Sequence, residues 1–464
     1  MSKGDDGTEA LPERANEWLR YAGRHVVEAF RLQLPRRSSK HSRIRRILDR
    51  LPPYDAGDPA VLLPGHGRMA SITMDLSSYR LLLPAAAAAA AGAKYEALTE
   101  LELSGAAFDE DAPGGGGRTL GAFVSYCCPR LRKLDICFPR GLPQLVIRSE
   151  TLEELRLSQA EGLRTLDVAP PSLRVLKLEH CFHDTLQLLL LAMSHGDGVT
   201  TTGKVVRIAA PTPRLEEIAI SHLVIVRHPP RLDIHDRAGV RRLSKLHLYM
   251  HGPYCCDDDG SLWLLENCHG VEHVDVSLVH GSGKRGASGG LVDLTAEGAA
   301  PFAKVRSMVV RATLFSGGHL VSSLSALLSR CPLLRSLSVR ITKREGLCGL
   351  SSSGAKCFCD EVATWKFHQK FFLGSLEEVT IHDFVGADED MDLLTLLFES
   401  SSSIRKVTLH ATAEPPGGYH SLRPMMGEDD EDYGQEATEI KLLNIPSADG
   451  GCWHFGEAVY TWTC

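Results

Sequence analysis

Along most of the chain apolar residues recur as L-x-x-L-x-L, with Val, Ile or another apolar residue allowed at each L. The copies are LTELEL (98–103), LRKLDI (131–136), LPQLVI (142–147), LEELRL (152–157), LRTLDV (163–168), LRVLKL (173–178), LEEIAI (215–220) and LSKLHL (243–248). The series continues as VEHVDV (271–276), VRSMVV (305–310), LRSLSV (334–339), LEEVTI (376–381) and IRKVTL (404–409), with looser copies VEAFRL (27–32), MASITM (69–74) and ATEIKL (437–442). The last three residues of each copy alternate in, out, in, so each predicts one short strand, while its first apolar residue tucks under the preceding turn.

Intervals between copies are mostly 28 to 34 residues, with a tight block of 10 or 11 between 131 and 173. A period of that size marks a solenoid, in which a unit buries its apolar face only against its neighbours. Helical spacing fills several intervals. GGHLVSSLSALLSRC sets Leu320, Leu324, Leu327 and Leu328 on one face, and DMDLLTLLFES does so with Met391, Leu394, Leu397 and Phe398. DTLQLLLLAMSHG (184–196) and TLGAFVSYCC (119–128) are similar. In the tight block the gaps are too short for a helix, which leaves bare turns or alternate copies forming a second strand row. The predicted fold is an α/β leucine-rich-repeat solenoid, a curved and mostly parallel sheet with helices or turns on the convex side.

Cysteine recurs at fixed phase, three residues before the first apolar position: Cys128 before Leu131, Cys268 before Val271 and Cys331 before Leu334, with Ser401 before Ile404. A residue that returns with the repeat predicts a buried scaffold position, where an outer helix hands over to a strand. Cys181 instead completes L-x-x-L-x-L-x-x-C, again a packing and backbone-bonding role.

Composition narrows the function. Of 464 residues 43% are hydrophobic and only 6% aromatic, so the core is aliphatic, and a net charge of −7 disfavours a nucleic-acid surface. The basic stretch 36–50 lacks aromatic residues for base stacking and reads as a solvated loop. MSKGDDGTEALPERANEW has no apolar signal-peptide core, and no run reaches the ~18 apolar residues of a membrane helix. Thirteen cysteines without secretory context imply reduced thiols in the cytoplasm or nucleus.

Chemical motifs are sparse. His247, His251, Cys255 and Cys256 have zinc-ligand side chains, but their spacing fits no metal-site pattern, so a strand end and a polar loop are expected. CGLSSSGAKCFCD (348–360) reads as an insertion with exposed thiols, and the glycines of 112–118, the alanine run 85–91 and the acidic stretch 427–436 as loop expansions. No catalytic, cofactor-binding or metal residue is assigned, and no enzyme activity or cofactor is expected. The expected concave partner-binding face comprises Lys133, Asp135, Glu154, Arg156, Asp167, Lys177, Lys245, His247, His273 and Asp275. Lys133/Glu154 and Asp135/Arg156 would neutralise each other if their strands are neighbours.

TLGAFVSYCCPRLRKLDI and HLVSSLSALLSRCPLLRSLSV resemble the helix-Cys-Pro-strand units of the plant F-box/leucine-rich-repeat family, and residues 375–409 resemble its FBD module, at Leu376, Val379, Ile381, Phe384, Gly386, Leu394, Leu397 and Ile404. ANEWLRYAGRHVVEAFRLQLP (15–35) is similar to the stretch that follows the F-box. The resemblance covers most of residues 15 to 410 and implies a substrate receptor, in which an F-box grips the Skp1-type adaptor of a cullin-RING ubiquitin ligase and the repeats hold the target protein. Only some 26 residues precede the first repeat-like strand, too few for a packed F-box, so an intact F-box is expected to be absent and adaptor binding to need one supplied upstream. The expected organisation is an N-terminal tail or remnant (1–26), the solenoid (27–370), FBD-like repeats (371–445) and a C-terminal tail (446–464). The function implied is substrate recognition for an SCF-type (Skp1-cullin-F-box) E3 ligase; the alternative is a stand-alone scaffold without a ligase role. The partner is an unknown target protein, with no nucleic acid and no membrane.

Overall fold

The computed structural model describes residues 6–35, 60–77, 79–84, 94–108, 119–182, 204–209, 211–221, 230–251, 253–256, 260–280, 291–313, 319–342, 371–386, 388–411, 438–445, 451–456 and 458–464. The expectations for 36–50, 85–91, 112–118, 184–196, 348–360 and 427–436 fall outside the described residues. The chain divides into two compact units, Met1–Gly239 and Val240–Cys464. Both are α/β, with mostly parallel strands and few helices.

The first unit runs α1 (Asp6–His25), β1 (Ala29–Gln33), β2 (Ala60–Leu62), β3 (Ser71–Asp75), β4 (Arg80–Leu82), β5 (Glu100–Ser104), β6 (Lys133–Cys137), β7 (Gln144–Ile147), β8 (Glu154–Ser158), β9 (Thr165–Val168), β10 (Val175–Glu179), β11 (Val205–Ile208), β12 (Glu217–Ser221) and β13 (Arg231–Ile234). Strands β1, β3, β5, β6, β8, β10 and β12 pair in parallel in that order with no register shift. Leu101, Leu134, Leu155, Leu176 and Ile218 therefore stand opposite one another, as do Leu103, Ile136, Leu157, Leu178 and Ile220, and all are buried. Each such side chain contributes about 1.5–3 kcal/mol by leaving water. A one-residue slip would turn a whole column to solvent, which is what locks the register.

The tight block resolves into alternate copies. LRKLDI, LEELRL and LRVLKL supply the main sheet, whereas LPQLVI and LRTLDV supply β7 and β9 of a separate four-stranded parallel sheet, β7-β9-β11-β13. Ten residues leave no room for a helix, and a short strand satisfies the backbone polar groups of the connection instead. TLGAFVSYCC coils only over Leu120–Ala122 before passing into a π-helical turn, Phe123–Cys127, with Thr119 as its N-cap. This segment packs so closely on β7 that a Cβ on Gly121 would lie 2.0 Å from the Val146 carbonyl oxygen.

Two backbone devices repeat with the sequence. The first apolar residue of a copy donates its N–H to the carbonyl three residues earlier: Leu98 to Tyr95, Leu131 to Cys128, Leu173 to Pro170 and Leu215 to Thr212. A left-handed residue follows the strand, as at Gly105, Phe138, Gln159 and His180, and its N–H donates to the last carbonyl of the next strand, on Cys137, Ser158, Glu179 and Ser221 respectively.

The second unit runs β14 (Arg242–His251), β15 (Tyr254–Cys256), α2 (Gly260–Asn267), β16 (His273–His280), β17 (Leu291–Asp293), β18 (Ser307–Thr313), α3 (His319–Leu328), β19 (Ser336–Thr342), β20 (Glu378–Phe384), α4 (Asp388–Ser400), β21 (Lys406–Ala411), β22 (Cys452–Phe455) and β23 (Val459–Thr463). Strands β14, β16, β18, β19, β20 and β21 are parallel neighbours in that order. The β22–β23 hairpin adds antiparallel to β21 and covers that sheet edge. Trp462 of the hairpin is fully buried and meets Phe398 edge to face at 5.0 Å.

In α3, Leu320, Leu324, Leu327 and Leu328 are buried as their spacing requires; in α4, Leu394, Leu397 and Phe398 are buried, but Leu393 takes the inward place expected of Met391. The loose copy ATEIKL is helical over 438–443 rather than extended: Leu442 and Ile445 are buried three residues apart while Ile440 is exposed, a helical and not an alternating pattern.

Candidate functional site

The solvent face of the main sheet in the first unit is set by strand alternation. Lys133 and Asp135 on β6, Glu154 and Arg156 on β8, and Lys177 on β10 are half-buried and point away from the aliphatic columns. Lys133 lies opposite Glu154 and Asp135 opposite Arg156, so these strands are the lateral neighbours that pairing requires. The ion pairs run differently, however. Lys133 Nζ meets Glu102 Oε1 at 3.2 Å, Arg156 meets Glu154 on its own strand at 3.3 Å, and Lys177 meets Glu217 at 3.2 Å. Burial holds the Asp135 carboxyl above the usual carboxylate range, against the lowering effect of Arg156 and Lys133. Asp167 does not share this face: it lies on β9 in the four-stranded sheet and pairs with Arg148 at 2.8 Å. Its motif copy is one of the two that the tight spacing diverts to the second row.

In the second unit the expected residues lie on the two leading strands. Lys245 sits at a β-bulge with φ +56°, His247 follows it on β14, and His273 and Asp275 lie on β16. Asp275 accepts a hydrogen bond from Arg311 on β18. These parallel strands run six to ten residues, longer than the three positions read from each hexamer. The next outward position is therefore the residue just after the motif: Ser277, Arg311, Arg340, His382 and His410. With His247 these stand in one register row. The signal was present in the sequence as S, R, R, H, H at a constant offset, and it was missed because the strand was expected to end with the hexamer.

The row has specific geometry. The His382 and His410 rings stack with centroids 4.8 Å apart and planes 4° apart. Arg340 Nε lies 3.5 Å from Asp383, the left-handed bulge residue of β20. Burial, then the His410 and Arg340 charges, lower the pKa of His382 below the usual histidine value, and Asp383 opposes them.

The phased cysteines are scaffold. Cys128, Cys268 and Cys331 are buried, and each accepts at its backbone carbonyl the N–H of the following apolar residue, 3.2–3.3 Å away. The Cys331 thiol donates to the Leu327 carbonyl at 3.5 Å, and Ser401 in the same slot donates to Leu376 at 3.4 Å. Burial pushes the Cys331 and Cys181 thiols up to about 12 and that of Cys128 well above its usual value. Such thiols do not ionise near neutrality, so they are poor nucleophiles.

Of the zinc-type residues, Cys255 is buried opposite Met250, whereas His247 lies on the outward face of β14. No group of three His, Cys, Asp or Glu that could hold a metal occurs among the described residues. No helix among them is long and apolar enough to cross a membrane.

No family model matches the chain. It is similar to an Arabidopsis thaliana protein named as an F-box/FBD/LRR-repeat protein, at 24% identity over 310 residues. The alignment covers 62% of this chain and 54% of that protein, so the chain spans about half the length of the curated relative it matches.

Proposed function

We propose that the chain is a leucine-rich-repeat solenoid that binds a target protein along its strand-lined face, as the substrate-recognition subunit of an SCF-type ubiquitin ligase. The observation that carries this reading is the parallel strand stack, seven strands in the first unit and six in the second, each presenting outward side chains at a fixed spacing. Such a surface recognises an extended or folded protein partner. Lys133, Asp135, Glu154, Arg156 and Lys177 would line it in the first unit, and Lys245, His247, His273 and Asp275 in the second. In this reading residues 27–370 are the repeats, 371–445 the FBD-like repeats, and the chain catalyses nothing itself. Nine described cysteines carry free thiols, which fits a cytoplasmic or nuclear setting.

The test is reconstitution of the full-length chain with a Skp1-type adaptor, followed by a chase of the captured target in cells with and without the chain. With an F-box supplied upstream of residue 1, stoichiometric adaptor binding and a shortened target half-life are expected. Target binding with neither would overturn the ligase role and leave a stand-alone scaffold.

A further inference from the structure

His247, Ser277, Arg311, Arg340, His382 and His410 form one row across six parallel strands, on the face opposite the buried columns of Leu246, Val276, Val310, Val339, Ile381 and Leu409. We propose that the part of this row from Arg311 to His410 docks an acidic, extended segment of a partner protein, with carboxylates against the two guanidiniums and the imidazole pair. This deepens, and rests on, the reading of the chain as a protein-binding repeat module.

Charge complementarity is the argument. In the first unit, successive strands spend their charges on each other through Lys133–Glu102 and Lys177–Glu217. In this row cationic and imidazole side chains follow one another on four adjacent strands. Among the described residues two carboxylates oppose them, Asp275 at Arg311 and Asp383 at Arg340. Each guanidinium has five donors, and the Arg311 and Arg340 side chains remain 43% and 52% exposed, so donors are left to face solvent. The adjoining row is uncharged, with Val309, Ser338, Thr380 and Thr408 opposite one another, and beyond it Glu378 faces Lys406.

Four strands at ~4.8 Å span about 14 Å, the reach of four or five extended residues. The two Arg–Asp pairs cancel formally, so a partner's carboxylates are met by the guanidinium donors that Asp275 and Asp383 leave facing solvent, and by His382 when it is protonated. His382 faces His410, Arg340 and Asp383, and only the last favours its protonated form. A docked carboxylate supplies the missing counter-charge, so binding takes up a proton and tightens as pH falls.

The test uses the full-length protein and three labelled 12-residue probes, a Glu-Ser repeat peptide, a Lys-Ser repeat peptide and a single-stranded RNA, followed by fluorescence anisotropy at pH 7.5 and 5.5. The Glu-Ser peptide should bind, roughly three- to tenfold tighter at pH 5.5. Arg340→Gln should weaken it by a similar factor, and His382→Gln with His410→Gln should flatten the pH dependence at an unchanged unfolding midpoint, while Lys94→Gln, at an exposed position with no place on the proposed face, leaves it alone. Equal binding of the Lys-Ser peptide, tighter binding of RNA, or a pH dependence that survives in the double variant would overturn the proposal. A target that binds Arg340→Gln with wild-type affinity would sink this docking surface and leave the receptor reading standing. Probe binding by a chain that neither engages the adaptor nor shortens target half-life would do the reverse.

Discussion

Replacing Cys331 by Ser and Leu337 by Ser separates a turn position from a core position at the second residue of the next strand, β19. Cys331 is fully buried, and its thiol already donates to the Leu327 carbonyl. A serine hydroxyl can donate to that carbonyl in turn, and Ser401 in the equivalent slot is satisfied by another backbone acceptor, Leu376 of the neighbouring copy. The loss is then confined to moving a more polar group out of water, about 1–2 kcal/mol. Leu337 is inward on β19 between Met308 and Val379, and all three are essentially buried. Truncation there costs about 2–5 kcal/mol for the lost burial and cavity, and a hydroxyl without an assured partner adds about 1–3 kcal/mol. Both residues belong to the second unit, so one urea transition reports on both. With an m value of about 2–3 kcal/mol/M, Cys331→Ser should lower that midpoint by roughly 0.5 M and Leu337→Ser by more than about 1 M. A midpoint that falls further for Cys331→Ser would refute the scaffold assignment of the cysteine.

Gly121→Ala should cost about 2–3 kcal/mol by overpacking, because its Cβ would meet the rigid Val146 carbonyl; Gly162→Ala, in open space but at φ +74°, should cost only about 1–2 kcal/mol. Comparable melting temperatures for the two would contradict the close approach of the Gly121 turn to β7. Alkylation by iodoacetamide at pH 8, read by peptide mass spectrometry, should modify the exposed Cys452 and Cys464 first and Cys128, Cys181 and Cys331 last. Labelling of Cys331 at the rate of Cys452 would show an open thiol instead. Asp135→Asn tests the half-buried carboxylate. Its native pKa is raised, so the folded state holds the proton more tightly than the unfolded one, and its contribution to stability falls as pH rises through that pKa. The variant should therefore gain on the wild type between pH 4 and pH 7 in urea midpoint, and an unchanged gap would mean that burial is not what governs this group.

Period and phase were legible in the sequence. Alternation within LRKLDI and LEELRL required Leu134 and Leu155 to face one way and Lys133 and Glu154 the other, and the recurring cysteine marked the turn ahead of the strand. These are local, because side-chain alternation and turn chemistry are properties of a few successive residues. What lay opposite what was not local. Whether Asp167 joins Lys133 and Arg156 depended on how a ten-residue spacing is distributed between two sheets, and the partner of Lys133 depended on which of two flanking strands brought a glutamate within reach. The row from Arg311 to His410 is the clearest case. Each of its residues follows an ordinary hexamer, and only the length and register of the parallel strands, set by aliphatic columns that cannot slip without exposing themselves, bring two guanidiniums and two imidazoles onto one line.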